Sequence, residues 1–256
     1  MQARMGSTRL PGKVLRPILG RPMLWHIVIR VGRAPGTRDV VVATSSLPRD
    51  APIREFCQKE GIKQFSGSES DVLDRYYQAA VLFGADPIIR ITGDCPLVDP
   101  QVVGNLLVFY ESGRYDHVGV ATGAGAVFLE GGRYPNGLDA ECFSFKALEK
   151  AWNEATLPTD REHVTPYIWR HPSLFKLGVL KSKIDYSHLR FSVDYEADFE
   201  LISQIYGALY KGDEPFLLDD VIRFISAHPK LAGMNKGYIG KEGYTDLWKK
   251  DGPVSK

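Results

Sequence analysis

The first thirteen residues concentrate the residue types that bind phosphate. Three cations, Arg4, Arg9 and Lys13, are interleaved with small residues, which are Gly6, Ser7, Thr8 and Gly12. Small residues let backbone N–H groups approach an anion while long cationic side chains reach around it, so this pattern predicts a polyphosphate cradle. The spacing is not that of a Walker A loop. Taken by its composition alone, the stretch is more typical of a solvated, flexible basic arm.

Two aspartates follow apolar runs of strand length. Asp94 follows residues 87–92, and Asp194 follows residues 189–193, which we predict to be a buried strand. Each aspartate has a local alternative, an Asx turn for Asp94 and a helix N-cap for Asp194. Two carboxylates at strand ends, in a chain that opens with a phosphate loop, predict Mg²⁺ shared between the protein and substrate phosphates. Asp198 is a weaker third candidate, because a position inside a predicted helix is consistent with simple exposure.

Alternating apolar runs and amphipathic stretches indicate how these residues are positioned. The sequence predicts strands at 40–43, 62–65, 87–92 and 115–121, and helices at 22–34, 48–61, 69–84 and 100–112. This alternation is typical of an α/β fold with a Rossmann-like, mostly parallel sheet. Ligands of such sheets bind at the carboxyl ends of the strands, where the polar loops 4–13, 44–46, 66–68 and 92–94 fall.

The second half of the chain has a less regular pattern. We predict a domain over residues 1–228, with a small inserted lobe at about 122–188 that covers the site or forms a subunit contact. The lobe begins with a Gly-rich stretch at 122–132 and has predicted strands at 138–143 and 175–180 and helices at 145–155 and 159–171. Thr159 and Glu162 stand in capping-box register. Further helices are predicted at 197–210 and 217–227. Residues 229–256 read as an irregular tail docked by its aromatic residues, Tyr238, Tyr244 and Trp248.

Composition limits the classes of partner. The 256 residues are 44% hydrophobic and 25% charged, as in an ordinary globular protein. A formal net charge of +1 gives no global electrostatic basis for binding nucleic acid, and no apolar run is long enough to span a membrane. Three widely spaced cysteines without a CxxC pair are typical of reduced thiols in a cytoplasmic protein. We therefore expect small-molecule substrates and local action of the cations.

Several segments together resemble one enzyme family. Residues 2–13 resemble the N-terminal signature of cytidylyltransferases that activate acidic sugars, which include the 3-deoxy-manno-octulosonate and acylneuraminate enzymes. They are most similar to the cytidylyltransferase-like spore-coat polysaccharide biosynthesis proteins. Four further segments also resemble that family, namely 71–77, 90–96, 161–166 and 190–194. The resemblance covers residues 1 to about 224.

The resemblance implies a nucleotide-diphospho-sugar transferase fold with a dimerisation lobe and a homodimer. It implies CTP, Mg²⁺ and an acidic sugar as reactants, with a CMP-sugar and pyrophosphate as products. The candidate catalytic residues are Arg4, Lys13 and Asp94, and the candidate metal ligands are Asp94 and Asp194. The candidate nucleotide-binding residues are Ala3, Arg4, Gly6, Ser7, Arg9, Lys13, Gly67 and Arg75, and the candidate sugar-binding residues are Asn136, Glu141, Arg161 and His163.

The sequence alone leaves alternatives for how the base is recognised, for the function and for the start of the chain. In octulosonate enzymes an arginine after the Ser-Gly turn helps to read the base; the comparable position here holds Val72, with Arg75 three residues on. A glycosyltransferase of the same fold and an inactive nucleotide-binding module are the alternative functions. A phosphate loop also needs a strand before it, so we predict that residues 1–3 form a short strand in the sheet, with a native start upstream of Met1 left open.

Overall fold

The structure is a computed structural model that describes residues 1–122, 132–212 and 214–241. Its strands are β1 (Pro17–Ile18), β2 (Arg21–Pro22), β3 (Val41–Ser45), β4 (Lys63–Gly67), β5 (Ile88–Ile91), β6 (His117–Val120), β7 (Ala140–Phe143) and β8 (Leu177–Leu180). Its helices are α1 (Met23–Gly32), α2 (Ala51–Lys59), α3 (Val72–Phe83), α4 (Pro100–Gly113), α5 (Phe145–Glu154), α6 (Pro158–His163), α7 (Pro166–Arg170), α8 (Glu196–Leu209), α9 (Leu218–Ala227) and α10 (Pro229–Ala232). Single 3₁₀ turns occur at Lys13–Leu15, Pro48–Asp50 and Lys236–Tyr238.

The first three residues join two groups of strands. β3 and β4 pair in parallel, and the other group has the order β5-β7-β6-β8. Gln2 makes parallel bridges to Ala43 and to Thr92, so it lies between β3 and the end of β5. The Gln2 N–H donates to the Ile91 carbonyl at 3.0 Å, and the Gln2 carbonyl accepts from the Gly93 N–H at 2.8 Å. Residues 1–3 therefore lie in the sheet, as predicted, but they join it through isolated bridges of Gln2 and not as a full strand.

The sheet is mixed, with parallel pairing in its first half. β7 pairs antiparallel with both β5 and β6, whereas β6 and β8 are parallel. β7 and β8 lie within the predicted lobe 122–188, yet both pair with strands of the main sheet. Residues 123–131, which include most of the Gly-rich stretch, lie outside the described residues, as do Tyr244 and Trp248 of the tail. The proposed division into domain, lobe and tail stays a prediction.

Two predicted elements are wrong in detail. Residues 189–193 are extended, but they form one isolated bridge, between Arg190 and Asn136, instead of a strand. The predicted helix 159–171 is two short helices, α6 and α7, separated by Val164 at φ 76° and by Thr165. Pro166 has no N–H to donate to a carbonyl of the preceding turn, and Val164 leaves the helical region, which explains the break. α6 begins at Pro158, so the predicted capping box at Thr159 does not form.

Helices pack on the sheet through two apolar clusters. The larger cluster includes Ile27 of α1, Leu106 of α4 and Ile202 of α8. The smaller cluster lies beneath α3, α5 and α7 and includes Leu73 and Leu148. Burial of these faces leaves the strand ends and their loops as the place where polar side chains meet. No helix within the described ranges is both long enough and apolar enough to cross a bilayer.

Candidate active site

Lys13 joins the two predicted metal ligands. It begins the 3₁₀ turn Lys13–Leu15, after Gly12 at φ 69°, and the residue is only 7% exposed. Its Nζ donates to Asp94 Oδ2 at 3.1 Å and to Asp194 Oδ1 at 2.9 Å. A third bond, to the Val193 carbonyl, is 2.5 Å long. The phosphate loop and both aspartates therefore meet at one ammonium group.

A backbone contact brings the two aspartates together. Asp94 follows β5, and its carbonyl accepts a hydrogen bond from the Val193 N–H at 2.8 Å. Asn136 fixes the same extended segment, because its carbonyl accepts from the Phe191 N–H at 2.6 Å. Gly137 permits this approach, since a Cβ there would lie 2.4 Å from the Phe191 carbonyl carbon. Asp194 is thus held beside Asp94 although it does not end a strand.

The electrostatics keep both Asp94 and Lys13 charged. Burial opposes ionisation of Asp94, but Lys13 and a hydrogen bond from Thr92 outweigh burial and lower its pKa to about 2. Burial likewise opposes the charge on Lys13, but the two carboxylates outweigh it and raise the Lys13 pKa. At neutral pH the site therefore contains an ammonium group between two carboxylates.

Two arginines extend this cluster behind Asp194. Arg9 Nη2 lies 2.9 Å from Asp194 Oδ1, and Arg190 Nη2 lies 2.7 Å from Asp194 Oδ2. Arg190 also pairs with Asp198, at 3.2 Å from Nε to Oδ1. Asp198 accepts from the N–H groups of Asp194 and Tyr195 through Oδ2, both at 2.9 Å. Asp198 is fully buried, so the expectation that it is simply exposed is wrong.

A buried carboxylate holds the phosphate loop. Asp50 is fully buried and accepts a hydrogen bond from the Met5 N–H at 2.6 Å, while its other oxygen accepts from the Ser45 hydroxyl. Ser7 Oγ accepts from the Leu10 N–H at 3.2 Å, which tightens the turn of the loop. These bonds order a segment whose composition alone would also fit a flexible arm.

A second group of predicted residues lies at the end of β4. Arg75 is 2% exposed, and its Nη1 donates to the Ser68 carbonyl at 2.8 Å. Burial lowers the Arg75 pKa. Gly67 lies against this side chain, because a Cβ there would approach Arg75 Cγ to 3.3 Å. Arg4 is exposed and pairs with no carboxylate within the described residues, and Ala3 is buried beside it.

Glu141 takes part in an ion-pair network. Its Oε2 lies 2.5 Å from Arg90 Nη1, and its Oε1 accepts from Thr165 at 2.6 Å and contacts His117 at 3.1 Å. Arg90 and Glu141 are direct partners across β5 and β7. Burial opposes ionisation of Glu141, but Arg90 and His117 outweigh it and lower its pKa to about 2. Its role as a sugar ligand stays a prediction.

The other predicted sugar ligands lie in different surroundings. Arg161 forms a bidentate pair with Asp71, with Nε 3.0 Å from both carboxylate oxygens, and Asp71 in turn caps α3. Asn136 is buried and accepts from Ser192 at 2.6 Å. The His163 pKa is lowered by burial and then by Arg90. Arg161 is therefore paired with the carboxylate of Asp71, and His163 lies near the Arg90–Glu141 pair.

Sequence reasoning missed three residues that support the site, Arg190, Asp50 and Asn235, and considered Asp198 only as a weaker metal ligand. A signal was available for Arg190, because it lies four residues before Asp194 and has the opposite charge. Asp50 and Asn235 carry no such signal, because their partners are distant in the sequence.

The oxygen donors suit a divalent cation that is shared with a substrate. Within the described residues no group of three or more His, Cys, Asp or Glu side chains converges on one point. Two carboxylates do converge, on Lys13 Nζ, and the Asp94 side chain is 32% exposed. Mg²⁺ is commonly bound by one or two carboxylates together with substrate phosphates. Asp94 and Asp194 therefore fit a Mg²⁺ site that nucleotide phosphates complete.

Comparison with known proteins identifies the family. The sequence model described as cytidylyltransferase matches residues 1–205, which is most of the chain. The chain belongs to the cytidylyltransferase family. This agrees with the resemblance of the phosphate loop and the Asp94 segment to these enzymes.

Individual relatives of this cytidylyltransferase-family chain cover nearly its whole length. The spore coat polysaccharide biosynthesis protein SpsF of Bacillus subtilis (strain 168) is 32% identical over 240 residues, 91% of this chain and 95% of that protein. The solved structure of a cytidylyltransferase from Leptospira borgpetersenii has a TM-score of 0.80 and 31% identity, covering 90% of this chain and 94% of that one. The structure of CMP:2-keto-3-deoxy-manno-octonic acid synthetase complexed with CTP shares the fold, with a TM-score of 0.60 and 20% identity over 80% of this chain and 96% of that one.

Proposed function

We propose that the protein transfers CMP from CTP to an acidic sugar and releases pyrophosphate, in the biosynthesis of a surface polysaccharide. The observation that carries the proposal is the convergence of Lys13, Asp94 and Asp194 at the phosphate loop of a cytidylyltransferase-family chain. The relative named SpsF supports the polysaccharide context, and the octonic acid synthetase complexed with CTP supports the nucleotide and the class of acceptor.

The triphosphate would lie along the loop that begins at Arg4. Arg4 is exposed and has no carboxylate partner within the described residues, so its charge is available to a phosphate. Arg9 is one third exposed and holds Asp194 at the edge of the cluster. Together with loop N–H groups, these cations would stabilise the charge that develops on departing pyrophosphate. The base would lie toward Gly67 and Arg75 at the end of β4.

The reaction itself needs alignment and charge neutralisation. A hydroxyl oxygen of the acceptor forms a bond to the α-phosphorus, the bond between that phosphorus and the oxygen bridging to the β-phosphate breaks, and the hydroxyl proton passes to water. Mg²⁺ held by Asp94 and Asp194 would supply Lewis-acid stabilisation of phosphate charge. The low pKa of Asp94 keeps it ionised for this role at neutral pH. Lys13 fixes the two carboxylates relative to each other.

The acceptor would lie between the phosphates and the sheet. His163 and the Arg90–Glu141 pair border this region, and Asn136 fixes its backbone. A carboxylate on the acceptor suits a region where Arg4, which is exposed and has no carboxylate partner within the described residues, contributes positive charge. Homodimer formation and a cytoplasmic location are further parts of the proposal, and sedimentation of the purified protein tests the first of them.

A pyrophosphate-release screen tests the proposed function. The four nucleoside triphosphates are each incubated with Mg²⁺ and a panel of sugar acids and sugar phosphates. We expect release with CTP and a sugar acid, and formation of the matching CMP-sugar. Release of a nucleoside diphosphate from a nucleotide-sugar, without pyrophosphate, would indicate a glycosyltransferase instead. Tight CTP binding without turnover would indicate a nucleotide-binding module.

A variant pair tests the assignment of Asp94. Asp94→Asn should abolish pyrophosphate release and leave the circular dichroism spectrum unchanged, because the amide keeps the shape but loses the anionic oxygen. Asp219 is an exposed aspartate at the start of α9, and Asp219→Asn is the matched control that should retain full activity. Near-normal turnover of Asp94→Asn would refute the metal-ligand role.

A further inference from the structure

Asn235 is a buried amide beneath the phosphate half of the site. It is 3% exposed and lies between α10 and the 3₁₀ turn Lys236–Tyr238, beyond the 205 residues matched by the family model. Its Nδ2 donates to Asp198 Oδ1 at 2.8 Å and to the Arg190 carbonyl at 2.9 Å. Both neighbours are acceptors, so the NH₂ group must face them. A small neutral side chain with two N–H donors fits this position.

The two partners of Asn235 are the residues that hold Asp194. Asp198 accepts from the Asp194 N–H at 2.9 Å, and Arg190 donates to the Asp194 carboxylate at 2.7 Å. Asp194 in turn faces Lys13 and Arg9. A continuous set of hydrogen bonds therefore runs from Asn235 to the carboxylate that lies beside the phosphate loop.

The residues after Asn235 make independent contacts with the same half-site. The Tyr238 ring stacks on Tyr195, with a centroid distance of 3.9 Å and an interplanar angle of 12°. Arg9 Nη1 donates to the Lys241 carbonyl at 3.2 Å and lies 3.4 Å from the Tyr195 hydroxyl. Residues 235–241, which we name the C-terminal strap, thus touch Arg9 directly as well as Asp194 indirectly.

We propose that Asn235 is a positioning residue for nucleotidyl transfer, which orients Asp194 through Asp198 and Arg190, and that the C-terminal strap completes the triphosphate half of the site. The inference rests on the proposed function. Without the amide, Asp198 keeps its bond to Arg190 but loses a donor, so Arg190 moves toward Asp198 and away from Asp194. Displacement of a reacting group by about 1 Å can cost about 100-fold in rate, so even a small shift is measurable.

Three variants of the full chain test Asn235. Asn235→Ala removes the donors, and Asn235→Asp keeps the shape but sets an acceptor against Asp198. Lys230→Ala changes an exposed residue of α10, outside the strap, and is the matched control. Pyrophosphate release gives kcat and the KM values for CTP and acceptor, and calorimetry with CTP and Mg²⁺ gives a Kd without turnover.

We expect Asn235→Ala to lower kcat/KM for CTP by about tenfold or more, and Asn235→Asp to lower it further because like charges oppose each other. The acceptor KM should change by less than about twofold, since the strap does not reach the Arg90–Glu141 region. Lys230→Ala should match the wild type. Unchanged kinetics and CTP affinity in Asn235→Ala, with only a lower urea midpoint, would show a purely structural role and overturn the inference, as would wild-type activity of Asn235→Asp.

Tyr238 provides a second test if the Asn235 variants do not fold. Tyr238→Ala removes the stack on Tyr195 and should weaken CTP binding severalfold, whereas Tyr238→Phe keeps the ring and should bind normally. Equal affinities of Tyr238→Ala and wild type would overturn the role of the strap. If the wild-type protein releases pyrophosphate and Asn235→Ala, Asn235→Asp and Tyr238→Ala all match it, the inference alone is refuted. A wild-type protein that does not bind CTP refutes the proposed function, and the inference with it.

Discussion

Replacement of Lys13 by methionine should unmask the two carboxylates that it joins. The ammonium group lies 3.1 Å from Asp94 and 2.9 Å from Asp194, and methionine fills similar space without a charge. Removal of one member of a buried ion pair costs about 3–5 kcal/mol. The shift of the Asp94 pKa from 3.8 to about 2 corresponds to about 2 kcal/mol. Because Asp94 is nearly one third exposed, we expect Lys13→Met to lose about 2–3 kcal/mol of unfolding free energy at neutral pH.

The stability lost in Lys13→Met should depend on pH, because it depends on the ionisation of Asp94. A carboxylate with a lowered pKa stabilises the fold above its unfolded pKa of 3.8, and that contribution is lost as the pH falls toward about 2. The difference in stability between wild type and Lys13→Met should therefore be largest at neutral pH and shrink below pH 3.8. Urea unfolding followed by circular dichroism at several pH values measures it.

Mg²⁺ distinguishes charge repulsion from a packing defect. Two carboxylates without their ammonium partner should bind a divalent cation, so millimolar Mg²⁺ should stabilise Lys13→Met more than wild type. The double variant with Asp94→Asn should lose this gain. Lys63, whose pair with Asp39 is exposed, supplies the control, and Lys63→Met should change stability by less than about 1 kcal/mol. A Lys13→Met protein as stable as wild type at neutral pH, or one insensitive to Mg²⁺, would refute the reasoning.

Three further predictions concern the surroundings of the site. Asp50→Ala leaves the partly buried Met5 N–H without its acceptor, so CTP affinity should fall and unfolding free energy should drop by about 1–3 kcal/mol, as calorimetry and urea titration will measure. Glu141→Gln leaves the Arg90 charge uncompensated and should destabilise the fold by about 3 kcal/mol at neutral pH, with a smaller loss as the pH falls from 4.5 toward 2. Buried thiols should not react with a disulfide reagent in the native protein but should all react in urea, because burial raises the pKa of each of them: Cys57, Cys95 and Cys142.

Hydrophobic patterns along the sequence predicted the strands and helices whose burial leaves a regular spacing of apolar residues. The apolar run before Thr44 and the amphipathic stretch of α4 appear where the sequence places them, because burial on two faces or on one face of an element leaves a readable period. The position of residues 1–3 in the sheet followed from the needs of a phosphate loop. The break at Pro166 could have been read from the sequence, because a proline has no N–H to continue the helical hydrogen bonds, but we predicted one helix over 159–171.

Contacts between distant segments were not readable. Residues 189–193 have the apolar character of a strand, yet what fixes them is Asn136, more than fifty residues earlier, and a glycine that lets two backbones meet. Asp198 was misjudged because a helical position says nothing about which face is covered. The strap covers that face through Asn235, and irregular segments carry no period from which such a contact can be inferred.

The balance of charge around Asp194 predicts that a divalent cation and a nucleotide bind the site together. Arg9, Lys13 and Arg190 face three carboxylates, those of Asp94, Asp194 and Asp198, so the cluster as it stands is close to neutral. Without a metal ion, a triphosphate would have to compete with these carboxylates for the N–H donors of Arg9 and Lys13. The free-energy cost of separating such ion pairs is larger when they are buried. A divalent cation on Asp94 and Asp194 would free Lys13 and Arg9 for phosphate oxygens, and the triphosphate would in turn supply the ligands that two carboxylates lack. Each partner would therefore complete the site that the other needs, and in the proposed arrangement the strap, through its hydrogen bonds to Asp198 and Arg190, would set the position of Asp194.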